Sequence, residues 1–164
     1  MDTLLPLVSL TAVAVITPGP NNVVVMTRGA AGGFCSAAPS ILGILIGVFA
    51  MTVVTIWAAG SINAGTIARY VVWAGALSLA AMAVSIWRDA GQGSPGAALL
   101  SPAALAAFQF ANPKAWITSS TVAATAAVAG LPSATVLTMT VLISALGLSA
   151  WALGGAMLST WLSR

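Results

Sequence analysis

Thr17-Pro18-Gly19-Pro20-Asn21-Asn22 and Phe110-Ala111-Asn112-Pro113-Lys114-Ala115 interrupt two otherwise apolar stretches, one in each half of the chain. Proline removes a backbone donor and turns the residue before it away from helix, so each string breaks the helix that holds it. Lipid offers no water to the freed backbone groups, which survive at membrane depth only where protein or a wet cavity covers them. Two such interruptions in matching positions of two halves point to a solute site.

Composition supports a bilayer as the solvent. Of 164 residues, 60% are hydrophobic and only 4% charged, against about 25% charged in soluble domains. Mean hydropathy is +1.07. An all-α, polytopic membrane helix bundle is expected, with residues 1–164 forming one integral domain. Its five cations, Arg28, Arg69, Arg88, Lys114 and Arg164, are scattered singly. Nucleic-acid binding needs a basic patch or stripe, which is missing. The chain has no histidine, and its only acids, Asp2 and Asp89, lie outside the apolar stretches. Cys35 stands alone and reads as a small apolar filler near a helix start. Metal ligands and acid–base pairs are therefore lacking, and neither an enzyme nor a cofactor is expected.

A span needs about twenty apolar residues. Five candidates satisfy this: residues 4–26, broken at Pro18 to Pro20; 38–59; 67–87; 102–128, broken at Asn112-Pro113; and 133–162. Residues 88–101 read as a linker between a first half (1–87) and a second (102–164), and Gly130-Leu131-Pro132 as a tight turn. Asp2 stands where a signal peptide would carry a cation, and no small-x-small cleavage site follows, so the first span reads as retained. Cytoplasmic flanks collect Lys and Arg. An outside N-terminus and cytoplasmic C-terminus place Arg28 and Arg88 in internal loops and Arg164 inside, leaving Arg69 outside. Gly43 with Gly47, and Ala76 with Ala80, form small-xxx-small steps suited to close helix packing. Trp57, Trp87 and Trp161 fall at helix ends as interfacial anchors, whereas Trp116 lies beside the second break.

In the first break, Pro18 and Pro20 remove donors and Gly19 supplies conformational freedom. The helix that restarts there presents a positive end that favours a carboxylate. Asn21 and Asn22 add amides able to hold a zwitterion's amine, or simply to cap the restarted helix. In the second break, Asn112 can cap the helix that resumes at Pro113 and Lys114. A lysine inside an apolar span marks a functional site by default, the alternative being a side chain that snorkels to the headgroups. Gln109, Thr118, Ser119, Ser120 and Thr121 add polar groups to the same span.

These strings, with Arg28-Gly29, Gly32-Gly33-Phe34, Gly43 and Gly47, and the stretch Phe108 to Ala115, resemble the LysE/RhtB amino-acid exporter family of bacterial inner membranes. The resemblance covers nearly the whole chain. It implies an inner-membrane exporter of amino acids or similar zwitterions, working by alternating access between inverted three-helix halves. It also implies that Pro18, Gly19, Pro20, Asn21, Asn112, Pro113 and Lys114 line or shape the central cavity. Two departures stand out. Val48-Phe49 occupies the place where the family carries an acid, and the last of six helices is missing. The resemblance then leaves two expectations: a second copy of the chain closing the cavity, or a degenerate, non-transporting relative. Metal-cation export, known in more distant relatives, lacks carboxylate, thiolate-pair or imidazole ligands here.

Overall fold

The computed structural model describes residues 4–61, Trp73 and residues 101–162. The third span (67–87), the linker (88–101), and Arg69, Arg88, Asp2, Asp89 and Arg164 lie outside the described residues, Trp73 and Ser101 excepted. Every described element is helical: α1 (Leu5–Ile16), α2 (Pro20–Ser61), α3 (Pro102–Ala111), α4 (Pro113–Val128) and α5 (Ser133–Leu162). By length and apolar composition, Pro20–Ala59 and Ser133–Leu162 suffice to cross a membrane, while α1 and α3 are shorter apolar helices.

The second half follows its expected boundaries. Ser101 caps α3, its side chain accepting from the Ala104 amide at 3.1 Å. The span then breaks at Asn112 and resumes at Pro113. After α4 the Leu131 amide reaches back to the Ala126 carbonyl and the Gly130 amide to that of Ala127. With Gly130 at φ 63°, this is a Schellman motif. Leu131 packs with Val122, Ala126 and Val136 to seal it.

The first half departs in one respect. Instead of a loop between residues 26 and 38, helix runs through Arg28, and α2 bends only at Gly32 (φ −151°, ψ 22°) and Gly33 (φ 72°, ψ −177°). The Gly33 geometry is open essentially to glycine alone, so the hinge needs two residues where the sequence reading allowed a dozen. Arg28 therefore sits half-buried on a helix, with its Nε unpaired. Pro39 lies inside the second limb and forfeits one backbone bond. The chain reverses at the hinge. Val25 and Ile41 share one cluster with Leu148 and Ala152, whereas a straight helix would hold them about 24 Å apart.

Glycines set the packing. A Cβ at Gly29 would overlap the Ala152 carbonyl, and one at Gly155 would overlap that of Met26. Gly147 admits the Val15 side chain, and Trp151 donates to the Val15 carbonyl at 3.3 Å. The first broken span thus runs in the same direction as α5. Gly43 lies on the Pro102 backbone and Gly47 on Ala106 and the Gln109 side chain, while the Thr55 hydroxyl donates to the Ser119 carbonyl at 3.3 Å. The second limb of α2 therefore runs parallel to the other broken span. The Gly43–Gly47 step packs as its spacing suggests; Ala76 and Ala80 lie outside the described residues.

Candidate functional site

The two breaks meet. The side-chain amides of Asn21 and Gln109 exchange hydrogen bonds of 2.8 and 3.0 Å, and Gln109 is fully buried, also donating to the Leu105 carbonyl at 3.0 Å. Lys114 Nζ donates to the Thr17 carbonyl, so a side chain of the second break holds the backbone of the first. Gly19 makes room for it: a Cβ there would lie 3.1 Å from Nζ.

The breaks satisfy their own backbone unequally. Asn112 Oδ1 accepts from the Lys114 amide at 3.1 Å, and the Asn112 carbonyl accepts from Ala115 and Trp116. Pro113 has no N–H to place. The start of α4 is therefore closed. Trp116 adds a bond from Nε1 to the Phe110 carbonyl at 2.8 Å and an edge-on contact with the Phe110 ring. At the start of α2 the first backbone bond is from Val23 to the Gly19 carbonyl, 3.1 Å. The amides of Asn21 and Asn22 have no acceptor among the described residues, and they sit at the positive end of a helix.

Asn22 works differently from its neighbour. It is buried, and its Nδ2 donates to the Val15 carbonyl at 2.8 Å and the Thr17 carbonyl at 3.2 Å, repairing the end of α1. Its amide thus holds the broken backbone and does not cap the restarted helix.

Around these groups lies a half-open cavity of about 70 Å³. Gly19, Pro20, Asn21, Asn22, Asn112 and Lys114 line it; Pro18 and Pro113 do not. Those two prolines shape the breaks from behind. Thr118 and Ser119 also line the cavity, as do Thr11 of α1 and Thr140 and Ser144 of α5. The last three were not singled out from the sequence. For Thr140 and Ser144 the signal is the stripe Val136, Thr140, Ser144, Leu148 and Ala152, buried at every fourth residue of α5. The Thr140 hydroxyl is buried without a partner among the described residues. Val48, in the place where an acid was looked for, presents an apolar wall.

No family model, curated protein or solved structure matches this chain.

Proposed function

We propose that this chain is a membrane-embedded exporter of small solutes, amino acids or similar zwitterionic metabolites, working by alternating access in a bacterial inner membrane. The observation that carries the reading is the Lys114–Thr17 contact, which ties two broken helices together beside a cavity of mixed polar and apolar lining. Broken helices that face each other are how transporter folds place backbone dipoles against solute. The packing supports it too, because the first broken span lies along α5 as the second lies along the limb of α2 after Gly33. Exchanging the two halves exchanges these two contacts, as expected of inverted repeats, with the N-terminus outside and the C-terminus cytoplasmic. A carrier of this kind moves solute unchanged and is not an enzyme.

The test is counterflow of labelled amino acids into liposomes holding the purified chain. Lys114→Met keeps the aliphatic stem and removes the ammonium; uptake is expected to fall at least about tenfold, the loss of one charge-assisted contact, with unchanged helix content. Uptake equal to wild type would remove Lys114 from the mechanism. One observation favours a second reading, a membrane protein that does not transport: Asn21 and Gln109 satisfy each other. Under that reading no solute exchanges, and cells overloaded with toxic amino acids gain no tolerance from the chain.

A further inference from the structure

We infer that the cavity binds a small monocarboxylate whose negative charge is the counter-ion Lys114 lacks, the ammonium of an amino acid being dispensable. The inference rests on the cavity being the solute site. Among the described residues, Lys114 is the only ionisable side chain lining it, and there is no aspartate or glutamate at all. Lys114, half-buried, holds the neutral Thr17 carbonyl and meets no opposite charge among the described residues, so an anion that neutralises it is favoured over a net-neutral zwitterion. Further donors belong to residues that line the same cavity. Among the described residues, the amides of Asn21 and Asn22 are open at the start of α2, and the buried hydroxyl of Thr140, 2% exposed, has no partner.

Acceptors for an ammonium are weaker. The Val15 and Thr17 carbonyls are taken by Asn22, Trp151 and Lys114. Those of Ala14 and Ile16, whose helical donors Pro18 and Pro20 do not exist, are neutral and serve a water as well as an amine. Size narrows the class further. An apolar cavity of about 150 Å³ accepts benzene, so about 70 Å³ suits a solute of a few heavy atoms.

Glycine and propionate differ chiefly by ammonium against methyl, so they separate the two requirements. Binding of glycine, propionate and 1-propylamine to the full chain in lipid nanodiscs would be measured by calorimetry. Propionate is expected to bind at least about tenfold more tightly than glycine, since only it leaves the site neutral, and 1-propylamine is expected not to bind. Lys114→Gln should weaken propionate by a similar factor. Thr140→Val, which keeps shape and fold, should weaken it about threefold by removing one donor. Glycine binding without propionate binding overturns the inference and leaves the zwitterion exporter standing. Binding by neither sinks both, because the cavity is then no solute site. Propylamine binding, or unchanged propionate affinity in Lys114→Gln or Thr140→Val, also overturns it.

Discussion

Truncating one member of the Asn21–Gln109 pair strands the other amide, and Gln109 is fully buried. A buried polar group left unsatisfied costs about 1–3 kcal/mol, whereas replacing both partners is far milder. Asn21→Leu and Gln109→Leu are each expected to lower stability by that amount. The double variant should lose less than their sum, with a coupling above about 0.5 kcal/mol in reversible unfolding from micelles; strict additivity would mean that the pair does not form. Residue identity announced part of this network. Asn21, Asn112 and Lys114 stand out because their side chains are polar or charged in apolar surroundings. Asn22 looks the same as Asn21 in the sequence, yet its amide is spent on α1. Thr140 and Ser144 were hidden for a different reason. Hydroxyls in helices commonly bond the carbonyl one turn back, as Thr11, Thr52 and Thr121 do here, so the residue type alone does not mark which hydroxyl belongs to a cavity-lining residue.

At the scale of the element, punctuation by proline was readable and punctuation by glycine was not. Pro18, Pro20 and Pro113 each remove a donor wherever they stand, so the breaks could be located to within a residue or two. Gly32 and Gly33 impose nothing. They permit a hinge, and only the packing of Val25 and Ile41 into one cluster reveals that the permission is used. The two positive-φ glycines consequently differ in what can replace them. Gly33→Ala forces a side chain into a conformation that costs about 1–3 kcal/mol. Gly130→Asn occupies a left-handed helix cap that asparagine tolerates and should cost less than about 1 kcal/mol. Thermal unfolding of both variants checks the order, and equal losses would contradict the hinge geometry.

Across the whole molecule, the two halves look alike in the sequence because each opens on an apolar stretch broken by proline, residues 4–26 and 102–128. Their mutual arrangement was not legible, since it depends on which small residues face which backbone: nothing in the sequence ranks Gly29 and Gly155 above the other small residues, yet they set the closest approach. The same arrangement makes a prediction about sidedness. Cys35 follows the hinge directly, is exposed, and is the single cysteine of the chain. With the N-terminus outside, a membrane-impermeant maleimide should label it in inside-out vesicles and leave it unlabelled in right-side-out ones; the opposite pattern would invert the topology.

Each half supplies the partner surface for the other, with α5 behind the first broken span and α3 against Gly43 and Gly47. A nascent chain that has delivered only its N-terminal portion to the membrane therefore holds Asn21 without Gln109 and the Thr17 carbonyl without Lys114. A pause of the ribosome between the halves would leave both groups waiting until residues 109 and 114 are made.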